Sequence, residues 1–524
     1  MSRKRRVVMF ILLPAVMVSA ALLYIPAQRK HSPERPLRID RTPVLRPDYS
    51  NTVIPPNIAP LNFLVDEIGS RYYVKICSAQ GKPIEVSNRT GRILIPQNQW
   101  RRLLTENKNQ TLYFDVFVKA KDGRWCLYST ITSKIAGEPI DRFLVYRRMH
   151  PTHTQRLGTV ALCQRDLESF HESVILDNGY YKGGCLNCHS FCNGRTDKML
   201  MGVRGPKYGT STLLLENGAV VKIGAKFGYT SWHPSGRLAV FSIDELPMFF
   251  HSARNEVRDT IDLNSALACF DLDSRTIKIS PKIADKSRLE TWPAWSPDGR
   301  FLYFCSAPML WSDPTRFPAA LYKKVKYDLV RISYDINNDQ WGEVETVIAA
   351  ADTGRSAAMP KVSPDGRWLL FCLCDYGYFP SWQQNSDFYI IDLQNIQQTG
   401  RYSCSRLDIN SDQAEAWHTW SSNSRWIVFT SKRDQGVFTR CYISYVDAEG
   451  KVHNPLLLPQ KDPAFYDICL ESHNTPELVT EPIPVAGEKL ARAVRGNSQV
   501  SVQIPITMAT PMGRQIDEYD QPRQ

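Results

Sequence analysis

The chain lacks the short motifs by which hydrolases and nucleotide-handling enzymes are usually recognised. It contains no Gly-x-Ser-x-Gly elbow, no His-Glu-x-x-His, no phosphate loop and no EF-hand loop. Too little chain follows the last clear repeat turn, at Ser424, to add an α/β-hydrolase domain. It also lacks a basic surplus over its main body. The formal net charge is +11, but Arg3, Lys4, Arg5, Arg6, Arg29 and Lys30 carry more than half of it. What remains is too dilute for a nucleic-acid partner, which requires a dense basic patch. Only one apolar run is long enough to cross a bilayer, and no Cys follows it closely for lipid attachment. Charged residues at 22% against 43% hydrophobic exclude a disordered chain.

The apolar run sets the expected compartment. Arg3 to Arg6 precede an uncharged stretch from Val7 to Ile25, close to the ~20 residues of a membrane span. Basic residues stay on the cytoplasmic side, so everything after Ile25 is exported. Residues 1–30 are therefore a signal-anchor or a signal peptide, with Ser19-Ala20-Ala21 and Pro26-Ala27-Gln28 as cleavage alternatives. The expected location is the cell envelope, on the periplasmic face of the inner membrane, or the free periplasm if cleavage occurs.

Aromatics at 11% and 34 prolines favour an all-β chain rich in turns. Residues 31–60 are Pro-rich and read as an extended linker. Residues 61–138 hold short strand-like runs (Tyr72 to Ile76, Arg92 to Ile95, Thr111 to Val118, Trp125 to Ile131) separated by turn signals, as in a small β-sandwich. Residues 142–475 contain an internal repeat. Trp232-His233-Pro234-Ser235-Gly236-Arg237, Trp295-Ser296-Pro297-Asp298-Gly299-Arg300, Val362-Ser363-Pro364-Asp365-Gly366-Arg367 and Trp420-Ser421-Ser422-Asn423-Ser424-Arg425 each precede an apolar β-rich run. Repeated turns of this type, with several strand candidates after each, predict a β-propeller of five or six blades. Residues 484–524 read as a polar tail.

Thirteen cysteines are present, most of them scattered through strand-like runs where Cys acts as a small buried hydrophobe. Cys185, Cys188 and Cys192 cluster instead. Cys185-Leu186-Asn187-Cys188-His189 has the c-type haem attachment spacing: two thiols for the vinyl groups and an adjacent imidazole for iron. Two other readings stay open, a zinc or iron–sulfur centre on Cys185, Cys188, His189 and Cys192, and a redox-labile Cys185–Cys188 disulfide. Pairing Cys188-His189-Ser190-Phe191 with Trp232-His233-Pro234-Ser235 places the cluster at the repeat turn of an earlier blade. A sixth iron ligand is sought among Met199, Met201 and His233, with His418 and His251 behind them; an open position is the alternative.

These runs, with Met199-Leu200-Met201-Gly202-Val203-Arg204-Gly205, Leu457 to Pro463 and Asn57 to Phe63, resemble exported TolB-like propeller proteins of Bacteroidota, described as cytochrome c or cytochrome c biosynthesis proteins. The resemblance implies a six-bladed TolB-like fold and one covalent haem at Cys185, Cys188 and His189. Gly202 stands where that family carries His. Two functions follow. One is a membrane-tethered monohaem electron-transfer protein with an exported redox or envelope partner. The other is a non-redox propeller scaffold that binds exported proteins or glycans, its cysteine cluster structural.

Overall fold

The computed structural model describes residues 33–151, 158–205, 207–251, 256–498 and 500; the side chains of residues 187, 188 and 397–399 lie outside that description. The anchor read at residues 1–30 also lies outside it. Among the described residues no helix is long and apolar enough to cross a membrane.

Six four-stranded antiparallel sheets form a β-propeller. Blade 1 runs from its inner strand Cys185–Cys192 through Arg195–Gly205 and Gly209–Glu216 to Ala219–Ile223. The inner strands of blades 2 to 5 are Gly228–Trp232, Arg288–Trp295, Ser356–Val362 and Glu415–Trp420. Blade 6 is assembled from both ends of the chain. Its inner strand Ser472–Val479 pairs with Phe143–Met149, which continues to Val160–Asp166 and Glu172–Asp177. Each inner strand touches the inner strand of the next blade, and the sixth touches the first. The ring is therefore closed by hydrogen bonds between segments more than 300 residues apart, and each blade keeps only a short outer edge.

The repeated turns make the blades alike. In blade 3, Ser296 N–H donates to Phe301 O (2.8 Å) and Phe301 N–H to Ser296 Oγ (3.0 Å), while Gly299 takes φ +73°. Ser363 with Trp368, and Ser421 with Trp426, repeat both bonds. The aromatic residue before the turn then ties blades together: the Trp232 indole donates to Ser190 O and that of Trp420 to Lys361 O, each in the preceding blade.

Three boundaries differ from the sequence reading. The stretch 31–60 is not a free linker from residue 33 onward. Leu37–Ile39 and Val53–Ile54 add parallel edge strands to a seven-stranded sheet, and Leu45–Arg46 joins a three-stranded one. Its prolines suit edge positions that donate no ladder bond, and Tyr49, Val53, Ile54 and Ile58 between them are buried. The same unit contains a helix, Gln97–Glu106, that follows Pro96 and buries Trp100, Leu103 and Leu104 on one face. The polar tail, finally, begins with a packed helix, Gly487–Arg495, whose Leu490, Ala491 and Val494 enter the core shared by blades 6 and 1.

The N-terminal unit is fused to blade 5. One core cluster joins Ile54, Phe63, Trp100 and Phe114 to Trp426, Val428, Cys441 and Ile443. Trp426, fully buried, donates its indole N–H to Glu138 O (3.2 Å). Trp426→Ala should cost about 3–5 kcal/mol and lower the urea midpoint of both units in a single transition. A separate early transition of the N-terminal unit would contradict the shared core.

Burial also makes stability depend on pH. Glu290, in the inner strand of blade 3, is held by Asp285 N–H (3.1 Å), but desolvation pushes its pKa up to about 8. A carboxyl raised on folding supports the fold fully below its unfolded pKa, and that support is lost as pH rises through the folded value. From about pH 5 to 8 its ionisation should erode stability by up to ~1.4 kcal/mol per pH unit. Glu290→Gln should flatten thermal stability against pH over that window; an unchanged slope would refute the assignment.

Candidate functional site in the axial channel

The inner strands share a local irregularity. Each has a register shift midway, a β-bulge, at Asn187/His189, Gly228/Ser231, Thr291/Ala294, Ala358/Lys361 and Ala416/Thr419; in blade 6 the shift falls at Val145/Arg147, the strand facing Thr475. At the bulge, Tyr229, Trp292, Met359, Trp417 and Thr475 take left-handed φ between +41° and +56°. The extra residue re-aims neighbouring side chains out of the ladder, here into the axial channel. The following residue is Pro293, Pro360 or Pro476 in blades 3, 4 and 6, where a missing N–H costs nothing. In blades 1 and 5 it is His189 and His418.

This register corrects the placement of the cysteine cluster. Cys185–Cys192 is an inner strand, and the turn comes three residues later than the sequence pairing put it, with Asn193 (φ +51°) and Gly194 (φ +69°) at its corners. What repeats is the aromatic residue before the turn, Phe191 in blade 1 against Trp232, Trp295 and Trp420, and not the His of His189 and His233. On that alignment Cys188 holds the bulge position, four residues before Cys192.

The channel has two lobes that share Tyr229 and Trp417 as walls. The inner lobe, about 70 Å³, is lined by His189, Trp292, Met359, Lys361, His418, Thr475 and Glu477 among others. The wide lobe, about 250 Å³, is lined by Cys185 and by several cationic and aromatic side chains.

His189 is the distinctive group. Its side chain is 2% exposed, and Nε2 has no hydrogen-bond partner. The Val145 carbonyl accepts the other ring N–H. Burial, with help from Arg147 and Lys361, lowers its pKa to about 3. The ring is thus a neutral imidazole whose free lone pair looks into the lobe, the form that ligates metals. Glu477 Oε2 lies 3.9 Å from Nε2, beyond hydrogen-bond range. Glu477 accepts the Phe191 N–H (3.1 Å), and surrounding protein pushes its pKa up to about 7. A neutral His189 therefore faces a Glu477 carboxyl that titrates close to neutral pH.

The other sequence candidates disperse. Met199 and Met201 are buried among the apolar side chains between blades 6 and 1 and line neither lobe. His233 is engaged at both nitrogens, by Ser235 Oγ (2.8 Å) and Gly299 O (3.2 Å), and pins blade 2 to blade 3. His251 pairs with Asp259 (2.9 Å). Cys192 is buried in the core of blades 1 and 2 beside Trp232, and among the described residues no group of three or more His, Cys, Asp or Glu is arranged to hold a metal ion. The structure instead brings His418 and Met359 to the lobe of His189. A sequence signal for these axial residues exists in the fixed spacing of four before each turn residue: Tyr229, Trp292, Met359 and Trp417 precede His233, Ser296, Ser363 and Ser421 by that interval.

His418 is structurally committed, since Nε2–H donates to Leu370 O (3.0 Å). His418→Leu should leave that buried carbonyl unpaired and cost about 1–3 kcal/mol in denaturant titration. No loss would show that the carbonyl finds another donor.

No protein-family model matches the chain, and no curated protein matches it. Solved structures do show similarity. The β-propeller domain of the Trilobed protease from Pyrococcus furiosus is 11% identical, with 68% of this chain and 95% of that one covered and a TM-score of 0.32. Oligogalacturonate lyase from Vibrio parahaemolyticus is 13% identical over 74% of this chain and all of its own, with a TM-score of 0.33. Puromycin hydrolase is 14% identical over 60% of this chain at a TM-score of 0.33, and this chain spans only 45% of its length.

Proposed function

We propose that this is an envelope-located, c-type monohaem propeller protein, with the cofactor bound through Cys185, Cys188 and His189 in the axial channel. The observation that carries the reading is the buried Nε2 of His189, unpartnered and unprotonated, directly after a Cys-x-x-Cys pair. The residues present fit the group: Cys185 opens on the wide lobe, His189 on the inner one, and the two lobes meet at Tyr229 and Trp417. When bound, a haem supplies one-electron transfer.

The chain's own residues supply the surroundings. The Val145 carbonyl fixes the His189 tautomer, and Trp292, its indole bonded to Tyr378 O (2.8 Å), lines the inner lobe with an apolar face. Glu477, poised near neutrality, holds or releases a proton within reach of the site. A wide lobe would also serve the second function, a binding propeller without redox chemistry, and its row of cationic side chains favours that reading. In either case the apolar run Val7 to Ile25 would tether the protein to the membrane, facing the periplasm.

Expression with a cytochrome maturation system tests the proposal. Thioethers survive detergent and heat, so the wild type should retain peroxidase-active stain after denaturing electrophoresis, and Cys185→Ser with Cys188→Ser should lose it. His189→Ala should keep the stain and shift the visible spectrum. Met359→Leu should shift it again if Met359 supplies the sixth ligand, whereas Met199→Leu, Met201→Leu, His233→Ala and, at a structurally committed residue, His418→Leu should not. Stoichiometric zinc without haem in the wild type would overturn the reading in favour of the scaffold.

A further inference from the structure

We infer that the wide lobe is a receptor for carboxylates carried on a ring. Arg147, Arg204, Lys226, Arg258 and Lys432 all line it, and among the described lining residues none is acidic. The countercharges stand behind the wall. Glu256 holds Arg258 through two bonds (2.7 and 2.8 Å) and also pairs with Lys432, while Asp244 pairs with Lys226. The two carboxylates, Glu256 and Asp244, thus serve three cations, Arg258, Lys432 and Lys226, from outside the lining. Arg147 is oriented in part by Asn474 Oδ1 and Leu186 O, both at 2.9 Å.

A second observation points the same way. The indole N–H of Trp417, which lines both lobes, is buried and has no acceptor. It is a donor waiting for a ligand atom. Trp382 adds a flat face, with the Arg258 guanidinium 5.4 Å from its ring centre. Fixed cations away from bulk water bind an anion more strongly than exposed ones, and guanidinium forks match carboxylate geometry. The size of the lobe admits an acidic group on a ring and excludes a folded polymer.

Two sources carry this chemistry: the propionate edge of a haem attached at Cys185, and a free ring acid such as a uronic sugar. The test uses the full chain with Cys185→Ser and Cys188→Ser, so it does not depend on covalent haem. Iron-free mesoporphyrin and its dimethyl ester are titrated by fluorescence, and glucuronate and glucose by calorimetry. In at least one arm the acid should bind about tenfold more tightly than its neutral counterpart, as one charge-assisted hydrogen bond is worth. Arg147→Gln, or Lys226→Gln if the former fails to fold, should remove that preference and leave the neutral ligand unaffected. Preference for mesoporphyrin alone assigns the lobe to the cofactor, and preference for glucuronate alone assigns it to a free acid. Preference in both arms means that the receptor serves either source. Equal binding of acid and neutral form in both arms would overturn the inference. Absence of haem stain in the wild type would sink the cytochrome reading and leave this one standing.

Discussion

Everything near the axis depends on one backbone constraint, the bulge that interrupts each inner strand. A non-glycine residue in the left-handed region costs about 1–3 kcal/mol and persists only where the surrounding structure over-determines it. Here the determinants are visible. Turn hydrogen bonds fix the strand on one side, the tryptophan before the turn bonds to the preceding blade, and ring closure by Ser472–Val479 prevents any one blade from relaxing alone. The strain opens a channel where regular ladders would leave side chains alternating between blade faces. It also puts His189 and His418 at equivalent positions of two blades, and Glu477 one residue further along in a third.

Electrostatics in the channel follow from that geometry. The inner lobe neutralises what it buries: His189 drops its proton and Glu477 tends to keep one. In the wide lobe the arrangement differs: Glu256 pairs with Arg258 and Lys432, and Asp244 with Lys226, while both carboxylates stay out of the lining. An uncharged donor site thus adjoins a cationic one, with Tyr229 and Trp417 between. That polarity suits a ligand with an apolar body and an acidic edge.

Much of this was legible in the sequence. Ser-Pro-Asp-Gly turns followed by β-branched and aromatic runs specify strands and their spacing, and the propeller follows. The sixth blade was harder, because its inner strand comes from Ser472 to Val479, hundreds of residues from its partners, and carries no turn motif of its own. The cysteine strand was misregistered because His189 resembles His233, whereas the conserved geometry belongs to Phe191 and Trp232. Residues 33–60 read as a linker by proline content alone, while Tyr49, Val53 and Ile54 between the prolines are buried against the N-terminal sheets. Met199 and Met201 lie close to His189 in sequence, yet a strand neighbour of His189 points where the sheet sends it, into the blade core.

The central claim is that the bulge in blade 1 holds a covalently attached haem beside His189. Mass spectrometry of the tryptic peptide containing residues 185–189, from protein matured in an envelope with cytochrome assembly, tests it most directly. The account predicts that this peptide carries the mass of one haem, with neither thiol free to alkylation. Recovery of Cys185 and Cys188 as free thiols, or as a disulfide with no added mass, would contradict it.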